Sequence, residues 1–578
     1  MAIAEMMLPE DIENALITAE REVALIAAVT SNELRGQSDE LGAKLSDLHN
    51  SGAICLTSES NLNAIQALDH KDFWIAVHPL KEAIPNLLGS HGQMLAYVNT
   101  LVKKAGSDGA AGMPNVALIE WCRKNPEEAS KIVERAQNCD PLGLEHGLFA
   151  VLALANPKSP FELIRHAELK VRTLGLRSLG RMEDLSLEHI KAGVDEALRA
   201  LKVETDEDVR TAAIEASFRL WENAPPKFRY KQTDLINSIG ELGNQTELTV
   251  LAAMLFYHNK GLVGADIDLV LDWLSKKPSN AAATLRHLDM AIRRNDERWK
   301  FENVVSVIEF CLPMLDKPVD ADGFYGFRKW LWDDPKHASY LFSRWLLNGQ
   351  RQLCDFLSEI LQALSAEQLI NIQKGDLPTK TADQVFLAQK CIGYLWNHET
   401  VVASILLSIV RNGTTDARAN AEELLFHPML LSYGGNLRSY LEGQRGNNSK
   451  RISESIERLL SKHDMHISGT EEVRDVVELC PTIEQRRAVA MKDRDRNRDI
   501  QKAAHKRSIF ADLATHQTLL YGRKSLSIIH GVDGEQHPQI TELTEHSYSV
   551  ELPRLSVIDP VGFNQLLTVF RARTRAQS

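Results

Sequence analysis

The chain has 578 residues, 44% of them apolar and 25% charged, with a formal net charge of −12. That is too long for one compact core, so several domains or one elongated array of repeats is expected, and the balance excludes a disordered or fibrous chain. No stretch approaches the roughly 18–20 uncharged apolar residues of a membrane span, and Met1–Met7 lacks the basic region of a secretory signal.

From Pro9 to about Val29, apolar residues recur at helical spacing (Ile12, Ala15, Leu16, Ala19, Val23, Ile26), which predicts one helix. Short helical segments cut by Pro, Gly or Asn then continue through most of the chain, with breaks at Asn125-Pro126, Asp140-Pro141, Pro225-Pro226 and Asp334-Pro335. In the first half one segment repeats. Glu168-Leu169-Lys170-Val171-Arg172-Thr173-Leu174 aligns with Asp206-Glu207-Asp208-Val209-Arg210-Thr211-Ala212, and a fainter copy begins at Asp416. Each copy has an acidic start, a basic residue in its first turn and small residues three or four apart. The acid suits the positive end of a helix, and small residues let helices approach closely. A period near 40 with paired helices is the mark of stacked repeats that cannot bury their apolar faces alone.

On these segments the chain resembles the HEAT/armadillo class of α-solenoids. That resemblance implies an all-α fold, a HEAT-like α-α superhelix, used mostly as binding surface. The aromatic stretch Gly323–Trp332, with Arg328 and Lys329 in it, reads as core between two repeats.

Between 434 and 451, Gly434-Gly435 and Gly446-Asn447-Asn448 predict a flexible loop. A polar helix follows at about 482–512. The tail then changes character: 525–529, 539–543, 547–552 and 554–558 read as short strands, Asp533-Gly534 as a turn, and Pro560 to Arg573 as a last helix. The expected organisation is an N-terminal helical region (1–110), HEAT-like repeats (111–433), a late helical region (434–515) and a small C-terminal α+β element (516–578).

Residues 481–578 carry 15 Lys/Arg against 11 Asp/Glu, and the rest of the chain 51 against 67. A mildly basic end on an acidic body directs any polyanion to the C-terminal end. The helix after Pro481 concentrates that charge in Arg487, Arg494, Arg496, Arg498, Lys502, Lys506 and Arg507, and Arg571, Arg573 and Arg575 add to it at the chain's end. Of the helix residues, Arg487, Arg494, Arg498 and Lys502 fall within about 80° of one another. Such a stripe tracks a phosphate backbone, or it lies solvated and laced with pairs such as Arg494–Arg498 against Asp495–Asp499.

The seven cysteines form no C-x-x-C pair, which fits buried thiols in a reducing cytoplasm and neither a disulfide framework nor a zinc site. No phosphate loop, dinucleotide fingerprint, H-E-x-x-H or G-x-S-x-G occurs, so no cofactor or metal is expected. One acid/base constellation stands out: Glu422 and Glu423 share a turn with His427, and His463 and His466 follow on the next helix. A Glu facing a His is the minimum for acid–base catalysis or two metal ligands, and equally a common structural pair. The Glu423…His466 spacing resembles the EH-signature proteins, which include the third component of the Zorya anti-phage systems. That resemblance implies a cytoplasmic, DNA-associated subunit acting beside a membrane motor and a helicase-type effector. The expected function is a non-catalytic adaptor for DNA and protein partners in bacterial antiviral defence. The alternatives are a pure protein–protein scaffold, and an acid–base or metal-assisted enzyme centred on Glu423, His427 and His466.

Overall fold

The computed structural model describes residues 9–31, 38–106, 111–225, 228–293, 297–317, 321–363, 368–446, 450–473, 476, 482–506, 515–521, 524–530, 536–542 and 554–575. Among them the fold is predominantly α-helical, and the chain divides between Asp333 and Asp334 into two compact units, Met1–Asp333 and Asp334–Ser578.

In the first unit, helices α1 to α10 run between Pro9 and Ile164. The single helix expected over 9–29 is two, Pro9–Arg21 and Leu25–Val29. Val23 adopts φ +59°, and the Ala24 N–H closes back on the Ala19 carbonyl, which ends the first helix. After them come α11 (Leu169–Arg181), α12 (Leu187–Val203), α13 (Glu207–Asn223), α14 (Gln232–Leu242), α15 (Gln245–Tyr257), α16 (Gly264–Leu274), α17 (Ala281–Ile292), α18 (Phe301–Cys311) and α19 (Tyr325–Asp333). They pack as two rows. The odd-numbered helices α11, α13, α15, α17 and α19 each lie on the next odd one, and α12, α14, α16 and α18 do the same.

The repeated segment explains this pairing. Asp206 caps α13 by accepting the Val209 N–H at 3.0 Å, a cap worth about 1 kcal/mol. Val209, Ala212, Ala213, Ala216 and Leu220 are buried, and Gly180 of α11 meets Ala216 so closely that a Cβ on it would stand 2.6 Å from the Ala216 Cα. Small residues at that spacing are therefore what brings α11 onto α13. The first-turn arginines act alike. Arg172 donates to the carbonyls of His166 and Ala167 and to Glu204, while Arg210 reaches the Leu201 carbonyl and clasps Glu247 at 2.6 and 2.7 Å. The aromatic stretch before Asp334 packs as core: Phe327 stacks on Phe301 at 5.7 Å, and Trp330 meets the same ring edge-on at 5.3 Å.

The second unit begins with α20 (Pro335–Asn348), α21 (Arg351–Gln362), α22 (Thr381–Leu395), α23 (Glu399–Asn412) and α24 (Thr415–Leu424). A π-helical turn, Leu425–Leu430, leads into α25 (Gly434–Arg445) and α26 (Lys450–Glu472). Of the loop expected over 434–451, 434–445 and 450–451 are helix, and 447–449 lie outside the described residues. Gly434 and Gly435 occupy only the opening turn of α25, and Leu437 and Leu441 behind them are buried one turn apart. Then follow α27 (Ile483–Lys506), an antiparallel sheet of β1 (Thr515–Tyr521), β2 (Lys524–His530) and β3 (Gln536–Glu542) in that order, α28 (Leu555–Ile558) and α29 (Pro560–Ala572). In register, Tyr521 faces Lys524 across the first pair and Lys524 faces Glu542 across the second. The strand expected at 554–558 is a helical turn. Leu555 N–H donates to the Leu431 carbonyl, and Arg554 lies over the Tyr433 ring while its Nε reaches the Ser432 carbonyl. Asp533-Gly534 and 547–552 lie outside the described residues.

Helix α22 is buried nearly all round, because α20, α23, α24 and α29 all pack on it. Phe563, Leu567 and Phe570 of α29, spaced by one turn, form the apolar face that covers it, with Phe563 4.5 Å from Trp396.

Candidate functional site

Helix α27 opens with a reciprocal cap. Thr482 Oγ1 accepts the Gln485 N–H, and the Gln485 amide oxygen accepts the Thr482 N–H. From 482 to 500 every residue is exposed, so the helix buries no face there. Its sequence dictates this: residues 492–499, Lys-Asp-Arg-Asp-Arg-Asn-Arg-Asp, contain nothing apolar to set against a core. Arg487, Arg494, Arg496, Arg498 and Lys502 all project into solvent, and Arg498 also donates to Asp495 one turn back, at 2.8 Å. The side chain of Lys506 and all of Arg507 lie outside the described residues. Apolar Ile483 and Met491, both exposed, share the face of Arg487.

Glu423 and His466 come to the same junction between α24 and α26, with other side chains joining them. Glu423, 61% exposed, pairs with Lys462 Nζ at 3.0 Å. That ammonium lies 4.0 Å from the centre of the Phe426 ring, and the exposed His466 meets the same ring edge-on at 6.5 Å. Beside them Glu422 accepts from Ser455 Oγ at 2.6 Å and from Arg458 at 3.0 Å. Lys462 and His466 are one turn apart on α26, as are Ser455, Leu459 and His463, which are buried. His427 is exposed at the kink of the π-helical turn. The arrangement is a clasp of two carboxylates by two cations, which holds α26 against α24. Sequence spacing brings out the Glu and the His; Lys462 and Phe426, which connect them, carry no spacing signal of their own. No group of three or more potential metal ligands occurs among the described residues.

Arg571, Arg573 and Arg575, which by charge alone belong with the basic helix, are docked by the structure on α22. Arg575 forms a two-pronged pair with Asp383 at 2.6 and 2.7 Å, Arg573 donates to the Gln389 side chain, and Arg571 donates to the Gly393 carbonyl. The Arg575 guanidinium holds the Asp383 carboxyl below its ordinary range, and the carboxylate raises the guanidinium in turn. Lys390, 2% exposed, donates to the Arg571 carbonyl at the end of α29, where the negative helix terminus suits a cation. Burial pushes the Lys390 ammonium down and the neighbouring Cys354 thiol up to about 12. Of the described cysteines, Cys122, Cys311, Cys354 and Cys391 are buried, while Cys55 and Cys139 are exposed.

No helix among the described residues is long and apolar enough to cross a membrane. Comparison with models of known protein families, with curated proteins and with solved structures finds no match.

Proposed function

We propose that the chain is a non-catalytic adaptor, a HEAT-like α-solenoid with a small C-terminal α+β element, that binds DNA through the phosphate backbone and protein partners through its helical surfaces. The observation that carries this reading is α27, a helix exposed from 482 to 500 whose arginines there pack against no core. Arg487, Arg494, Arg498 and Lys502 present one cationic stripe, and each phosphate it neutralises would release bound counterions. Arg496 flanks the stripe. The two rows of α11–α19 support the repeat architecture, since each helix packs against its neighbours in the stack. The Glu423…His466 resemblance supports a subunit of a multi-component anti-phage system in the cytoplasm.

The test is DNA binding across a salt series, wild type against Arg494, Arg496 and Arg498 changed together to Ala. Affinity should fall steeply with salt, and the slope of log K against log salt should become shallower by about 0.9 for each phosphate that the variant no longer neutralises. Binding that ignores both salt and the substitutions would sink the DNA reading. Exposed Ile483 and Met491 on the same face favour a second reading, in which the helix docks on a protein partner. In that case changing those two residues to Ser, with the arginines intact, abolishes partner capture and leaves DNA affinity unchanged.

A further inference from the structure

A cavity of about 910 Å³ lies in the second unit where the residues after α29 cross the start of α22, within the roughly 300–1,000 Å³ range of small-molecule sites. Lys380, Lys390, Arg571, Arg573 and Arg575 line it, with Asp383 as the one carboxylate among its lining residues. Asp383 is already matched by Arg575. The partners of the other cations are neutral: the Arg571 carbonyl for Lys390, the Gly393 carbonyl for Arg571 and the Gln389 amide for Arg573. Lys380 stands exposed on the rim. Four positive charges are therefore gathered around one concavity without carboxylates of their own, in a chain whose net charge is −12. Like charges so placed repel one another, and an anion set among them removes the repulsion. Guanidinium forks match the oxygens of phosphate two at a time, while a lysine supplies a point charge. The number of uncompensated cations suits a ligand with several negative charges better than a single carboxylate.

We infer that this cavity binds a small ligand carrying linked phosphates, held by Lys380, Lys390, Arg571 and Arg573. The site is separate from the stripe on α27, and its test separates the two readings. Titration calorimetry on the full chain would use two probes, inorganic tripolyphosphate and adenosine triphosphate, each without added metal. Saturable binding is expected, weakened about tenfold by Lys390→Met, the change expected when one charge-assisted hydrogen bond is removed, and by at least as much by Lys380→Glu, which reverses a charge at the rim. Lys390→Met keeps the length of the buried stem. Lys380→Glu changes a rim residue and should leave the melting temperature unchanged, so it decides the matter even if the buried variant folds poorly. The α27 triple-Ala variant should bind both probes as the wild type does. Equal affinity for the two probes would assign the phosphates alone, and tighter binding of adenosine triphosphate would assign a nucleotide. No saturable binding of either probe, or affinity that Lys380→Glu leaves untouched, would overturn the assignment.

Discussion

Arg210 on α13 and Arg494 on α27 are the same side chain in opposite settings. Around Arg210 the helix supplies Val209, Ala212, Ala213 and Ala216 to a core, and the guanidinium is taken up by the Leu201 carbonyl and Glu247. Around Arg494 the neighbours alternate in charge, and the guanidinium faces water. A basic residue on a helix packed in a core is a structural cross-link to its neighbours, whereas one on a helix with no apolar face has only solvent or a partner to meet. Counting charges along the sequence treats the two as equal. Their surroundings decide which can bind anything.

The sharpest way to break that contrast is to delete each arginine in turn. Glu247 has a side chain only 2% exposed, so Arg210→Ala leaves a buried carboxylate without its partner. Losses of about 3–5 kcal/mol follow from such a deletion. Arg494→Ala should stay within about 0.5 kcal/mol of wild type. Denaturant unfolding monitored by circular dichroism measures both, and comparable losses for the two variants would erase the distinction.

How much of this can be read from the sequence follows the same line. The segment around Arg172 and Arg210 is legible, because the pairing of neighbouring helices is written locally, in caps, first-turn charges and small residues at fixed spacing. The solvated character of 492–499 is legible for the same reason. What escapes is long-range docking. Arg575 is 192 residues from Asp383, and nothing in either segment marks the other as its partner. Charge counting therefore credits the three tail arginines to a free basic surface when they are held on α22. Local exceptions also escape. Val23 breaks a helix whose apolar spacing is unbroken, and Gly434-Gly435 opens a helix that composition assigns to a loop. At the candidate pair, spacing finds Glu423 and His466 but not Lys462, because an exposed lysine on a charged helix has no distinguishing pattern.

The docked tail allows a finer comparison, between a charge pair that holds a segment and the solvated charges of α27. Asp383 is held below its ordinary range by Arg575, so the pair contributes stability above the unfolded carboxyl value of about 3.9 and loses it as pH falls through the lower folded value. Arg575 is half exposed, and solvent screening limits the contribution to about 1 kcal/mol or less. Melting temperatures of wild type and Asp383→Asn should therefore differ at neutral pH and converge in acid. A gap that does not narrow as pH falls below the ordinary carboxylate range, or none at neutral pH, would show that the pair does not hold the tail.

The smallest expected effect separates structure from function at the α24–α26 clasp. Glu423 and Lys462 are both well exposed, so their pair should contribute only about 0.2–1 kcal/mol and fade with salt. A double-mutant cycle of Glu423→Gln and Lys462→Met should recover a coupling of that size at low ionic strength. The cycle of Glu423→Gln with His466→Ala should recover almost none, since His466 reaches the junction through the Phe426 ring and not through the carboxylate. Stability therefore gives no reason for these two residues to occur together. If both single variants melt like the wild type yet each abolishes DNA binding or partner capture, Glu423 and His466 belong to a working surface. If both leave binding intact, the carboxylate serves Lys462 alone, and the resemblance built on that pair carries no functional weight.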